Sequence, residues 1–127
     1  MKKLDIKPGK LTPGISYNSD NNTLNIFGSS LPENVHEFFK PVLLWLDEYE
    51  DSVDKIDKPF KIIVKLAYYN SSSMRYIHDI FSRIVKISEK GINTSIDWYY
   101  EKDDDLLREA GQDLAEIVGI KFNIISS

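Results

Sequence analysis

Three stretches of this chain carry apolar residues at three- and four-residue spacing, and each is followed by a short run rich in β-branched and aromatic residues. That alternation is the strongest constraint on the fold. Helices interleaved with strands imply right-handed crossovers onto a largely parallel sheet. The first stripe is Val35, Phe38, Phe39, Val42, Leu46 and Tyr49, and the second is Met74, Ile77, Ile80, Phe81, Ile84 and Val85. Leu107, Ala110, Leu114 and Val118 form the third. Strand-like runs at residues 60–68, 92–100 and 122–125 follow them in turn. In the first of these runs, Ile62-Ile63-Val64 and Leu66 predict a strand buried on both faces.

Ahead of the first stripe, residues 15–17 and 23–27 flank Asn18-Ser19-Asp20-Asn21-Asn22, a turn-rich loop of the kind that joins antiparallel strands. This hairpin makes the sheet mixed. Ser30 is expected to cap the first helix, with Pro32 in its first turn and Glu33 completing a capping box. Pro41 is expected to kink that helix, because it removes a hydrogen bond in mid-run. Asn70-Ser71-Ser72-Ser73 opens the second helix and Gly91 ends it; Asp103-Asp104-Asp105 opens the third and Gly119 ends it. The expectation is a single α/β domain over residues 1–127, a mixed β-sheet with an N-terminal hairpin and about three helices packed on it.

Composition then removes whole classes of function. The chain has no cysteine, which excludes a disulfide framework, a thiolate zinc site and a cysteine nucleophile and suits a reducing cytosol. Sixteen basic against twenty acidic residues give a net charge of −4, so the electrostatic footprint of nucleic-acid binding is missing. No signal-peptide pattern follows the basic start, and the longest apolar run, Val42 to Leu46, is far short of the roughly 20 residues that span a bilayer. A cytoplasmic protein without membrane contact is expected, and the sequons at Asn70 and Asn93 are expected to stay unglycosylated.

Few residues carry chemistry. His36 and His78 fall in helical segments without a local metal or catalytic partner, and no P-loop, nucleophile elbow, H-E-x-x-H or G-x-G-x-x-G is present. No catalytic residue, cofactor or metal site is predicted. Between Glu101 and Glu116 seven acids face only two bases, Lys102 and Arg108, a pattern that fits helix-start charges complementing the macrodipole. Trp98-Tyr99-Tyr100 alternates across a strand, which puts at least one of the rings in the core rather than in a cofactor stack. Asn70-Ser71-Ser72-Ser73 is different, because it joins the end of a strand to the first turn of a helix, at the carboxyl edge where open α/β sheets place their working groups. A phosphate is tolerated at such a turn by the helix N-terminus, and plain capping by Ser71 or a neighbour explains the same residues.

Four blocks of the chain resemble the SiaC family of small bacterial regulatory phosphoproteins. They are Leu31-Pro32-Glu33-Asn34, Phe38-Phe39-Lys40-Pro41-Val42-Leu43-Leu44-Trp45-Leu46, Tyr68-Tyr69-Asn70-Ser71-Ser72-Ser73, and Asp97-Trp98-Tyr99-Tyr100 followed by Asp103 to Gly111. The resemblance runs from about Thr12 to Phe122 and the blocks keep their order. It implies a fold like the STAS domains of anti-sigma-factor antagonists and a non-enzymatic signalling protein that is itself a substrate. Family members are phosphorylated by a Ser/Thr kinase with a histidine-kinase-like ATPase fold and restored by a PP2C-type phosphatase. In the best-understood branch of the family the unphosphorylated form binds and activates a diguanylate cyclase, which promotes cyclic di-GMP synthesis and biofilm formation.

The family's phosphorylated hydroxyl follows the asparagine of the strand-to-helix turn, which maps onto Ser71 after Asn70, with Ser72 the second choice. Serine stands where the family usually has threonine, and Gly14 stands where it commonly has an acid. Asn70, Ser72, Ser73, Asp103 and Asp104 are the expected partner-binding residues around the site. Two other classes share this sequence: an anti-sigma-factor antagonist that engages an anti-sigma factor through the same serine, and, more remotely, a small-ligand-binding domain or enzyme with an unrecognised site.

Overall fold

The computed structural model describes residues 2–127. Six strands form one sheet in chain order: β1 (Asp5–Ile6), β2 (Gly14–Asn18), β3 (Thr23–Ser30), β4 (Phe60–Tyr69), β5 (Thr94–Tyr100) and β6 (Lys121–Ser126). The first three are antiparallel neighbours, and β3 to β6 run parallel. Each parallel step is bridged by a helix, α1 (Val35–Asp51), α2 (Ser71–Glu89) and α3 (Asp105–Val118). Because every crossover moves one strand further in the same direction with the same hand, all three helices lie on one face of the sheet. The mixed α/β domain read from the sequence is the observed fold, with β1 as an added edge strand.

The core is the layer between that face and the helices. From the strands it takes Ile15, Leu24, Ile26, Phe60, Ile62, Val64, Ile96 and Trp98, and from the helices Phe39, Val42, Leu46, Tyr49, Ile77, Ile80, Phe81, Ile84, Leu107 and Leu114. Aromatic contacts join the sheet to the helices, with Tyr49 stacked on Phe60 at 4.3 Å and Phe81 edge-on to Trp98 at 6.2 Å, and join α1 to α2, with Phe39 stacked on Tyr76 at 5.4 Å. Trp98 also fixes α3. Its Nε1 donates to the Leu107 carbonyl at 3.0 Å, and its ring lies where a side chain on Gly111 would sit, 2.5 Å from the position of a Cβ.

Several expectations are corrected by the structure. β4 is buried on one face only: Phe60, Ile62, Val64 and Leu66 point into the core while Lys61, Lys65 and Ala67 are exposed. The lysines at period two around Ile63 reflect that one-sided burial. Ser30 does not cap α1, since β3 continues through it; Asn34 is the cap, its side chain accepting from the Glu37 N–H at 3.2 Å. Pro32 and Glu33 accordingly precede the helix rather than form its first turn and capping box. Pro41, expected to kink α1, lies within it on the exposed side, and the helix continues past it to Asp51.

Two buried polar side chains, Asn22 at the hairpin turn and Asp97 in the middle of β5, each gather several partners. Asn22 adopts φ 52°, and its side chain accepts from Tyr17 OH at 2.6 Å and Tyr49 OH at 2.8 Å while donating to the Lys58 and Pro59 carbonyls at 3.1 and 3.2 Å. Asn tolerates this left-handed backbone better than most residues. Burial pushes the Tyr49 phenol well above its ordinary range, so it stays neutral and donating. On the uncovered face Asp97 is enclosed; its carboxylate meets Lys61 Nζ at 3.0 Å and accepts from Asn123 Nδ2 at 2.8 Å.

Asn22→Ala leaves the buried Tyr49 phenol and the half-buried Tyr17 phenol without their shared acceptor and is expected to cost about 3 kcal/mol in urea unfolding. Desolvation raises the Asp97 carboxyl, but the Asn123 and Lys61 hydrogen bonds and the Lys61 and Lys121 charges outweigh it and hold the group below the usual range. The folded chain therefore binds this proton less readily than the unfolded chain does. The resulting stabilisation is complete above the unfolded value of about 4 and is lost as pH falls below it. Asp97→Asn is expected to be less stable than the parent at neutral pH and to lose less stability on acidification, measured as urea midpoints across that range.

Candidate functional site

The carboxyl ends of the parallel strands share one edge, and three segments meet there. β3 ends at Ser30, which pairs with Tyr69 near the end of β4, and β5 ends at Tyr100, just before the start of α3. The chain passes from β4 into α2 through Asn70 alone. Asn70 is the cap of α2, with its side-chain oxygen accepting from the Ser73 N–H at 2.8 Å and its carbonyl from the Met74 N–H at 3.1 Å.

The three serines that follow have three different fates. Ser71 is exposed, and among the described residues its hydroxyl makes no hydrogen bond. Ser72 is also exposed, but its Oγ donates to Asn70 Oδ1 at 3.1 Å. Ser73 is buried: its Oγ donates to the Ser30 carbonyl at 2.8 Å and accepts from the Ser30 hydroxyl at 2.8 Å. The Asn70 N–H donates to the same Ser30 carbonyl at 3.2 Å. These bonds tie the start of α2 to the end of β3. Ser73, expected at the rim with its neighbours, instead faces the interior and offers a partner no surface.

Asp104 caps α3, accepting from the Leu107 N–H at 3.0 Å, and Asp103 is exposed beside it. Their carboxylates sit at a helix N-terminus, where negative charge is favoured. A cavity of about 220 Å³ joins this helix start to the end of β4 and is lined by Ala67, Tyr68, Tyr69, Asp104, Leu106 and Leu107. Burial, then the Asp104 and Asp113 charges, raise the Tyr69 phenol above its usual range, so it is a neutral hydroxyl next to carboxylates. Asn70, Ser71, Ser72, Asp103 and Asp104 therefore occupy one edge, on adjacent strand ends.

Two residues of this edge escape the sequence reading. Tyr68 and Leu106 are 59% and 76% exposed, among the most exposed large apolar side chains of the molecule. Tyr68 is turned out by a register shift: Gly28 pairs with Leu66 but Ser29 pairs with Tyr68, so Ala67 is the extra residue of a bulge opposite a glycine at φ 96°. Leu106 carried a visible signal, since it lies off the stripe that Leu107, Leu114 and Val118 define. His36 Nδ1 is 3.0 Å from Tyr76 OH on the exposed α1–α2 seam. Among the described residues no group of three His, Cys, Asp or Glu side chains is placed to hold a metal, and no helix is long and apolar enough to cross a membrane.

A family model described as SiaC family regulatory phosphoprotein matches residues 6–127. The chain belongs to the SiaC family. Its structure is similar to that of SiaC from Pseudomonas aeruginosa in a complex with the diguanylate cyclase SiaD, where SiaC is described as the activator of SiaD: TM-score 0.87, 25% identity, 98% of this chain and 99% of the other covered. It is equally similar to apo-SiaC from that organism, with TM-score 0.85, 26% identity and coverage of 99% and 100%. An uncharacterized protein of Pseudomonas aeruginosa strain UCBPP-PA14 is 26% identical over 124 residues, 98% of this chain and 96% of that protein.

Removing the Ser73 hydroxyl breaks its bond to the Ser30 carbonyl and leaves the buried Ser30 hydroxyl without its acceptor. Ser73→Ala is expected to lower stability by about 1–3 kcal/mol in urea unfolding and to speed amide exchange in the first turn of α2.

Proposed function

We propose that this SiaC-family protein is a non-enzymatic signalling switch whose free form binds and activates a diguanylate cyclase and whose binding is ended by phosphorylation at Ser71. The observation that carries the reading is the near full-length likeness to a SiaC held in a complex with such a cyclase. Ser71 supports it locally, as an exposed hydroxyl without a hydrogen bond among the described residues on a turn that is otherwise tied down. The kinase is of the histidine-kinase-like ATPase class and the phosphatase of the PP2C class. Docking uses the edge that carries Ser71, Asp103 and Asp104, with Tyr68 and Leu106 as its apolar anchors.

Magnitudes decide how the switch acts. A phosphoryl group adds about 1.5 to 2 negative charges, and a helix N-terminus returns roughly 0.3 to 1 kcal/mol for an anion, about 2 in a partly buried geometry. Reversing a two-state fold from 1:99 to 99:1 takes about 5.5 kcal/mol. The fold therefore stays in place. Inside an interface the same charge must be desolvated or meet a like charge of the partner, and several kcal/mol of binding are lost.

Calorimetry with the diguanylate cyclase of the same organism is expected to give at least about 100-fold weaker binding for the phosphorylated chain than for the free one. Circular dichroism of the two forms should be the same. Ser71→Ala should still bind the cyclase and should take phosphate more slowly than the parent, at the less favoured Ser72 alone. Stoichiometric phosphorylation of Ser71→Ala at the parent rate, or equal cyclase affinity for both forms, overturns the reading; capture of an anti-sigma factor in place of a cyclase redirects the output to partner switching in transcription.

A further inference from the structure

Adjacent serines at positions 71 and 72 are both exposed, so exposure alone cannot direct a kinase to one of them. Hydrogen bonding separates them. Asn70 Oδ1 accepts from two donors, the Ser73 N–H at 2.8 Å and the Ser72 hydroxyl at 3.1 Å, which uses both of its lone pairs. The Ser73 hydroxyl is already committed inside, to the Ser30 carbonyl at 2.8 Å. One side chain thus fixes the helix start, occupies the proton of the second serine and leaves the first free.

We infer that Asn70 is a positioning residue that directs phosphoryl transfer to Ser71 and away from Ser72. This rests on the phosphoacceptor reading above and adds a determinant of site choice to it. In the transfer, the serine Oγ forms a bond to the γ-phosphorus of ATP, the bond from that phosphorus to the β–γ bridging oxygen breaks, ADP leaves, and the hydroxyl proton passes to a base of the kinase. Ser71 meets those requirements as it stands. For Ser72 the proton must first leave Asn70 Oδ1, and the side chain must rotate out of the geometry that bond holds. A neutral hydrogen bond of this kind corresponds to a factor of about two to ten. The clamp on Ser30 keeps the turn from rearranging to offset the difference.

The test reads a ratio, which partial loss of stability does not move. The full chain, Asn70→Ala and Asn70→Asp are each phosphorylated with ATP by the histidine-kinase-like Ser/Thr kinase of the same organism, and the phosphate on Ser71 and Ser72 is apportioned by fragment-ion mass spectrometry. The parent is expected to carry phosphate mainly on Ser71. Asn70→Ala should reduce the Ser71 to Ser72 ratio about two- to tenfold, and Asn70→Asp, which keeps both acceptor sites, should hold the parent ratio. An unchanged ratio in Asn70→Ala, a lost preference in Asn70→Asp, or a parent that carries phosphate mainly on Ser72 overturns the inference. Failure of the parent to accept phosphate on either serine overturns the proposed function itself. Should Asn70→Ala fail to fold, Ser71→Ala supplies the comparison: with Asn70 intact, Ser72 should take phosphate about two- to tenfold more slowly than Ser71 does in the parent, and equal rates overturn the inference.

Discussion

Same-direction crossovers are the constraint on which the rest of the structure depends. Each of the three helices returns the chain to the next strand along the sheet, so the helices cover one face and the carboxyl ends of β3, β4, β5 and β6 are brought to one edge. Ser30, Asn70 and Asp104 lie far apart in the chain, yet each sits at or just beyond the end of a strand that is hydrogen-bonded to the next. The edge is assembled from separate segments, and none can shift without breaking a ladder.

Stiffness and availability are distributed unevenly along that edge. The turn into α2 is held by the Asn70 cap and by the paired hydroxyls of Ser30 and Ser73, and α3 is held by the Asp104 cap and the contact of Trp98 with Gly111. Beyond these fixed points stand Ser71, Tyr68 and Leu106, all facing solvent. A charge added there meets a scaffold too firmly packed to absorb it by rearranging. Under the proposed function it acts on the docked partner.

The helical stripes, the hairpin around residues 18–22 and the stops at Gly91 and Gly119 were legible because each is a local pattern, and the two glycines adopt φ 99° and 65°. What was misread involved competition between local signals. Ser30 has the chemistry of a cap but belongs to a strand whose pairing with β4 extends to Tyr69, while Asn34, three residues before Glu37, has the same chemistry and wins. In β4 the run Ile62-Ile63-Val64 obscured the period set by Lys61, Lys65 and the core-facing residues between them. β1 has only two residues and exists through its pairing with β2, which no local pattern announces. At the site, the turn was visible in Asn70-Ser71-Ser72-Ser73 and the resemblance singled out Ser71. The different fates of the three serines were not visible, because the Ser30 to Ser73 contact spans 43 positions and the outward turn of Tyr68 depends on a bulge.

A sheet armoured on one side only leaves alternate strand positions under different rules. Residues such as Ile62, Val64 and Trp98 are bound to the volumes of the helices above them, whereas Lys61 and Asn123 answer to Asp97, and Lys65 to water and the Tyr99 ring. Substitutions can accumulate on the bare side without disturbing the packed one. Relatives sharing about a quarter of their residues with this chain still match its fold over nearly their whole length.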